Sequence, residues 1–257
     1  MQARRIAPVG MATAPAVTGL LFALCRWEAR RARSGDRPYS EAIPGSGRVN
    51  AGLGTRPVHI TWMGDSLAAG LGCDHVDDTP AHLSARMLER AVHLTVLAFP
   101  GARVSHVLEE QLPCLDRSSD LVVVCVGAND VASSVSRRRY AEQLHELLGD
   151  LAPLPTIALT LPDMAMPDRM AEPLRSLAGA RARWFEQARA RVAAAHPHVT
   201  SVDIASRPAG VSRRHGRTML CADRFHPGPE GYRVWAARIA DACHSLLEPT
   251  VASTSID

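Results

Sequence analysis

Residues 120–127 read Asp-Leu-Val-Val-Val-Cys-Val-Gly, and this stretch decides the fold class. The residues from Leu121 to Val126 are all apolar, with no alternation of polar and apolar positions. A short run of this kind is typical of a strand that is covered on both faces, as in parallel sheets. We expect Cys125 within it to be a buried thiol.

Strand-like and helix-like segments alternate on both sides of this run. Short apolar segments predict four further strands, at residues 58–63, 92–99, 156–161 and 199–204. Apolar residues at helical spacing predict helices at residues 79–91, 104–115, 140–151, 184–195 and 230–247. Such alternation produces right-handed βαβ crossovers. The sequence therefore predicts an α/β fold, a three-layer α/β/α sandwich with a five-stranded parallel sheet of flavodoxin-like type.

Composition and charge limit the classes of function. The chain has 257 residues, with 29 basic and 26 acidic groups, which suits one domain with appended tails. Residues 1–40 hold seven arginines against two acidic residues, so the rest of the chain is slightly acidic. This distribution argues against a nucleic-acid partner for the body of the protein. The six cysteines form no CxxC pair, and we expect no metal site.

The chain divides into four parts by composition. Residues 1–33 contain an uncharged run, residues 6–25, between arginine-rich flanks. An uncleaved membrane anchor, a cleaved signal and a non-membrane leader all stay open, and a membrane or cell-envelope location is favoured over the cytoplasm. Residues 34–56 are rich in Gly, Pro and Ser and predict a linker. The domain is expected over residues 57–248, followed by a tail at 249–257.

Polar or glycine residues follow three of the predicted strands. Gly-Asp-Ser ends at Ser66, Phe-Pro-Gly ends at Gly101, and Gly-Ala-Asn-Asp contains Asn129. Ligands of open α/β sheets bind beyond the carboxyl ends of the strands, where these turns are expected to meet. Ser66 could be only a helix N-cap, or its hydroxyl could be a nucleophile whose own N–H, at a helix start, stabilises an oxyanion.

Asp223 and His226 stand three residues apart, just before the last predicted helix. With this spacing the carboxylate can contact one imidazole nitrogen while the other nitrogen faces a nucleophile. A lone histidine in a loop is more often solvated. The ordered combination with the three strand-end turns is far more specific than any of its parts.

Taken together, these motifs resemble the SGNH branch of the GDSL esterase/lipase family, over roughly residues 57–247. The resemblance implies the SGNH hydrolase fold and a serine esterase without metal or organic cofactor. It implies a Ser66, Asp223 and His226 triad and an oxyanion hole formed by Ser66, Gly101 and Asn129. Many members have Asn shortly before the second-block glycine, whereas Ala98-Phe99-Pro100 stand here. Asp65 and Asp130 are interpreted as supporting residues that brace their turns.

The substrate class stays open at this point. A carboxylic ester, small or lipid, is the expected substrate, and a carbohydrate O-acetylesterase or an acyltransferase is the alternative within enzymes. A non-catalytic binding domain is the alternative outside them. Residues 162–179 contain Met164, Met166 and Met170 and could form either an apolar lid or an ordinary surface loop. The oligomeric state has no sequence signal.

Overall fold

The computed structural model of the chain describes residues 45–54, 56–206 and 218–248. Six strands form one sheet in the order β1-β3-β2-β4-β5-β6. Neighbouring strands from β2 to β6 are parallel, and β1 pairs antiparallel with β3 at the edge. The strands are β1 (Gly47–Val49), β2 (Val58–Gly64), β3 (Val92–Val96), β4 (Leu121–Cys125), β5 (Thr156–Leu159) and β6 (Val199–Val202).

Helices cover both faces of the sheet. They are α1 (Pro80–Arg86), α2 (Val104–His106), α3 (Ala128–Val131), α4 (Arg137–Asp150), α5 (Leu174–Ala194) and α6 (Pro229–Leu247). A π turn over Val107–Gln111 and a 3₁₀ turn over Leu112–Cys114 extend α2, so the single helix predicted over 104–115 is irregular. Pro113 removes a backbone donor there, which disfavours a regular α-helical end.

The central strand β4 shows why its sequence has no polar alternation. Val123 and Cys125 point into the core under α1 and α6. Val122 and Val124 point into the opposite core, which α4 and α5 cover. Every residue of β4 is buried, as expected for a strand between two helical layers. The predicted burial of Cys125 is confirmed.

The three-layer sandwich with five parallel strands is confirmed, and β1 is an additional sixth strand. It lies within residues 34–56, which the sequence predicts to be a linker. Val49 is buried against the core, so this part of the segment belongs to the folded domain. A three-residue strand among glycines and serines carries no periodic signal, and its pairing with β3 is non-local.

Helix α5 also departs from its prediction, because it begins at Leu174 rather than at Trp184. Its first half is rich in Arg and Ala, and Leu177 is exposed, so no apolar stripe marks it. Among residues 45–54, 56–206 and 218–248, no helix is long and apolar enough to cross a membrane. The apolar run at residues 6–25 and the tail at 249–257 lie outside the described residues.

Candidate active site

The turn that carries Ser66 begins with a close approach of two strands. Gly64 ends β2 with a φ of 145°, and a Cβ there would overlap the carbonyl oxygen of Cys125 on β4. Only glycine fits such a position. The Asp65 N–H donates to that same carbonyl at 3.0 Å. Ser66 is therefore held directly at the carboxyl end of the two central strands.

No helix begins at Ser66, which corrects the expectation of a helix start there. The chain continues in turns, in which Ala69 N–H donates to Asp65 O at 3.0 Å and Leu71 N–H donates to Ser66 O at 2.9 Å. The next helix, α1, begins only at Pro80. The Ser66 N–H thus belongs to a turn, and no helix dipole stands behind it.

Gln111 is a positioning residue that the sequence did not reveal. Its side chain is buried and bonds both backbone groups of Gly64. Its Oε1 accepts from Gly64 N–H at 2.8 Å, and its Nε2 donates to Gly64 O at 2.8 Å. This pair of bonds fixes the peptide that leads into Ser66. Gln111 follows Glu109 and Glu110 in a mixed polar and apolar segment, so the sequence offers no signal that separates it from a solvated side chain.

Gly101 and Asn129 lie in the two neighbouring turns. Gly101 has a φ of 81°, and the space where a Cβ would project is open. Asn129 lies on the short helix α3, and its Nδ2 donates to Ala102 O at 3.0 Å. This bond joins the turn after β4 to the turn after β3. Because an amide nitrogen carries two donors, one N–H of Asn129 is left for another acceptor.

Ser66, His226 and Asp223 form one hydrogen-bonded line. The distance from His226 Nε2 to Ser66 Oγ is 3.1 Å, and that from His226 Nδ1 to Asp223 Oδ2 is 2.7 Å. A carboxylate only accepts, so Nδ1 carries the proton and Nε2 is left as the acceptor for the serine hydroxyl. Asp223 Oδ1 accepts from the N–H groups of Phe225 at 2.7 Å and His226 at 2.9 Å.

The environment of Asp223 keeps it ionised. Burial alone would raise its pKa, but hydrogen bonds from His226 and from the Cys221 thiol outweigh that effect. The pKa of Asp223 therefore lies well below its usual range. The carboxylate is almost completely buried, so its negative charge acts on the imidazole with little screening by water.

Asp65 and Asp130 behave in the opposite way. Burial raises the pKa of Asp65 to about 7 and that of Asp130 to about 6. Asp65 Oδ1 accepts from Leu67 N–H at 3.0 Å, and Asp130 Oδ2 accepts from Val104 N–H at 3.2 Å. Their other oxygens have no hydrogen-bond partner within the described part of the chain. Each carboxyl braces a turn, and its burial favours the protonated form.

An apolar cavity of about 490 Å³ opens beside the hydrogen-bonded line. Ser66 and His226 line it together with Gly101 and Asn129, so the structure brings these predicted residues to one space. Most of the remaining wall is apolar and includes Met164, Met166, Pro167, Ile204, Leu220 and Trp235. Residues 207–217, which precede the turn that carries Asp223 and His226, lie outside the described residues.

Arg181 on α5 is a second residue that sequence reasoning missed. Its guanidinium donates to the carbonyl oxygens of Val131, Ser133 and Val135 at 2.8, 3.2 and 2.6 Å. These three residues follow Asn129 directly, so Arg181 fixes the segment that leaves α3.

Across residues 45–54, 56–206 and 218–248, no cluster of three or more His, Cys, Asp or Glu side chains could hold a metal ion.

The profile of the GDSL-like lipase/acylhydrolase family matches residues 62–234 of the chain. The chain belongs to this family. The resemblance drawn from the strand-end motifs is therefore confirmed, and membership assigns the chain to a family of ester-bond hydrolases. The matched range begins within β2 and ends within α6, so it includes every turn of the candidate site.

Individual relatives agree with this assignment. A GDSL-like esterase of Mycobacterium tuberculosis is 28% identical over 188 residues, which are 70% of this chain and 59% of that protein. The chain thus spans less than two thirds of this relative's length. A lipase/acylhydrolase of Enterococcus faecalis is similar in structure, with a TM-score of 0.58 and 21% identity over 76% of this chain and all of the other. An extracellular lipase of Streptomyces rimosus has a TM-score of 0.54, with 19% identity over 74% of this chain and 99% of the other. These two structures share the fold.

Proposed function

We propose that the protein hydrolyses carboxylic esters with Ser66 as the nucleophile. The observation that carries the proposal is the unbroken line of hydrogen bonds from Ser66 through His226 to Asp223, beside an open cavity. This geometry supports catalysis over a binding domain, because a binding surface does not need an activated hydroxyl.

The proposed reaction has two halves. His226 Nε2 takes the Ser66 proton while Oγ attacks the ester carbonyl, and Asp223 stabilises the imidazolium that forms. The imidazolium then gives its proton to the leaving alcohol, and an acyl-Ser66 intermediate remains. In the second half, His226 takes a proton from water, the resulting attack releases the acid, and Ser66 regains its proton.

The negative charge that develops on the ester carbonyl oxygen during the attack must be stabilised by hydrogen-bond donors close to Ser66. We assign this role to the N–H groups of Ser66 and Gly101 and to the free N–H of the Asn129 amide. The open space at Gly101 supports this assignment, since a carbonyl oxygen can approach the backbone there without meeting a Cβ. A donor of this kind typically contributes about 10²–10³ in rate.

The apolar cavity wall favours a substrate whose acyl group has several carbons and binds in the cavity. Methionine, proline and aliphatic side chains give it little capacity for hydrogen bonding, whereas a sugar would need many polar partners. The O-acetylesterase alternative is therefore less well supported than an esterase for apolar acyl chains.

The test uses a fluorophosphonate label and nitrophenyl esters. Wild-type protein is expected to bind one fluorophosphonate at Ser66 and to hydrolyse nitrophenyl esters, and Ser66→Ala is expected to do neither. Ser134→Ala is the matched control, because Ser134 is exposed on the loop after α3 and is not part of the site. A Ser66→Ala protein that keeps more than a few per cent of wild-type activity would refute the nucleophile assignment.

A further inference from the structure

The loop of residues 162–170, here called the methionine loop, is joined to the turn of residues 223–226 by side-chain and backbone bonds. Arg224 donates from Nε to Asp168 Oδ1 at 2.9 Å and from a terminal nitrogen to Asp168 Oδ2 at 2.6 Å. Arg169 N–H donates to Arg224 O at 3.3 Å, and its guanidinium donates to Asp223 O at 3.2 Å. The two bonds between the Arg224 guanidinium and the Asp168 carboxylate form a planar fork, the geometry in which Arg and carboxylate interact most strongly.

The backbone of Arg224 is unusual for a residue with a side chain. Its φ is 59°, in the left-handed region that favours glycine. This conformation directs the chain so that Asp223 Oδ1 can accept from the N–H groups of Phe225 and His226. Glycine would satisfy the backbone at this position. An arginine there is explained by what its side chain bonds, which is Asp168.

Both sides of this connection line the same cavity. Met164 and Met166 of the methionine loop form part of the apolar wall, and His226 of the turn lines the same cavity beside Ser66, to which it is hydrogen-bonded. The loop contains no helix or strand of its own, so its distance from His226 depends on such cross-links. Fixing the loop against the turn fixes the apolar wall relative to the reacting atoms.

We infer that Asp168 and Arg224 are positioning residues that set the acyl-chain preference of the site. The inference rests on the proposed esterase function. A two-carbon acyl group stays beside Ser66, whereas an eight-carbon group extends along the wall that includes Met164 and Met166. Loosening the wall therefore affects the longer substrate more than the shorter one.

The first test measures kcat/KM for nitrophenyl octanoate and nitrophenyl acetate and takes their ratio. Asp168→Asn and Arg224→Gln are each expected to lower this ratio about fivefold, as for the loss of a well-formed but partly exposed ion pair. The double variant is expected to lower it no further, because both changes remove the same interaction. Asp168→Asn leaves the backbone of Arg224 untouched, so its effect does not depend on how the turn tolerates a new side chain.

Arg233 and Asp78 provide a matched control. Their ion pair is 3.0 Å long, and its side chains are 56% and 24% exposed, against 52% and 23% for Arg224 and Asp168. The pair joins α6 to the turn before α1 and does not line the cavity. Arg233→Gln is expected to leave the ratio unchanged. An unchanged ratio in both Asp168→Asn and Arg224→Gln, or an equal fall in Arg233→Gln, would overturn the inference.

A second test needs no ester and so separates this inference from the proposed function. Trypsin cleavage after Arg169 in the native protein, followed by mass spectrometry, measures how firmly the methionine loop is held. Arg224→Gln is expected to raise the cleavage rate about fivefold, while Arg233→Gln leaves it unchanged. Equal rates in all three proteins would overturn the inference. A wild-type protein with neither esterase activity nor fluorophosphonate labelling would instead refute the proposed function, whatever the cleavage rates.

Discussion

Replacing Asp223 by asparagine changes one atom of the proposed triad and keeps its shape. Asparagine retains the Oδ1 oxygen that accepts from Phe225 N–H and His226 N–H, so the turn is expected to fold as before. The amide nitrogen takes the place of Oδ2, which lies 2.7 Å from His226 Nδ1. Two donors then face each other, and the imidazole moves its proton to Nε2 to avoid this. In that tautomer, Nε2 can no longer accept the Ser66 proton.

The size of the effect follows from the lost charge. The two side chains are only 7% and 1% exposed, so their interaction is little screened. At an effective dielectric constant of about 20, opposite charges about 4 Å apart attract by about 4 kcal/mol. The imidazolium that forms in the reaction loses this stabilisation, which corresponds to about a thousandfold in kcat. The wrong tautomer adds to the loss, so the expected fall is about 10³–10⁴.

The assay is kcat for nitrophenyl ester hydrolysis, together with thermal unfolding of each variant. Asp203→Asn is the matched control, because Asp203 Oδ1 also accepts from two backbone N–H groups, those of Ala205 at 2.8 Å and Ser206 at 3.0 Å. Asp203 faces no histidine in its turn, and its variant is expected to keep most of the activity. A folded Asp223→Asn protein with more than a tenth of wild-type kcat would show that Asp223 is not the partner of the base.

Two further substitutions test the neighbouring turns. Asn129→Ala is expected to lower kcat by about 10² or more with little change in KM, because an oxyanion donor acts in the transition state. The control is Asn50→Ala, since the Asn50 amide bonds three backbone carbonyls and does not line the cavity. This control is expected to lower stability and to leave kcat unchanged. Burial raises the pKa of Asp65 to about 7 from 3.8, so the folded protein holds a proton that the unfolded chain releases, and stability falls as pH rises between these values. Between pH 5 and 8, the unfolding free energy of wild type, measured by urea titration, is therefore expected to fall by about 2 to 3 kcal/mol more than that of Asp65→Asn. Equal falls in the two proteins would mean that Asp65 is ionised in the fold.

The sequence predicted the parts of the site that depend on local order. Ser66, Gly101 and Asn129 each follow a strand within a few residues, and a parallel sheet brings such positions to one edge. Asp223 and His226 are three residues apart, so their contact is local as well. A prediction of this type requires only the strand order and the direction of the chain.

The residues that hold the site in place could not be predicted in the same way. Gln111 contacts Gly64 across 47 positions, Arg181 contacts Val131 across 50, and Arg224 contacts Asp168 across 56. Neither the strand order nor the quoted motifs include these residues, so nothing in the sequence indicated that their side chains meet. In addition, an arginine on a helix or in a loop has the same pattern whether it is solvated or bonded. The edge strand β1 was missed for a related reason, because its pairing with β3 is non-local.

The three buried carboxyl groups of the site differ in charge because their partners differ. Asp223 receives hydrogen bonds from the His226 imidazole, the Cys221 thiol and backbone N–H groups, which hold its pKa low in spite of burial. Asp65 and Asp130 have one backbone donor each for a buried carboxyl, and burial raises the pKa of both towards neutrality. The permanent negative charge is thus placed behind His226, where it stabilises the imidazolium of the proposed reaction. Next to the proposed oxyanion donors, burial shifts both carboxyl groups towards their protonated forms, and this shift lessens the repulsion of the charge that develops there. Asp65 and Asp130 each bond the backbone of a turn, and we infer that their burial also lessens the negative charge beside the proposed oxyanion donors.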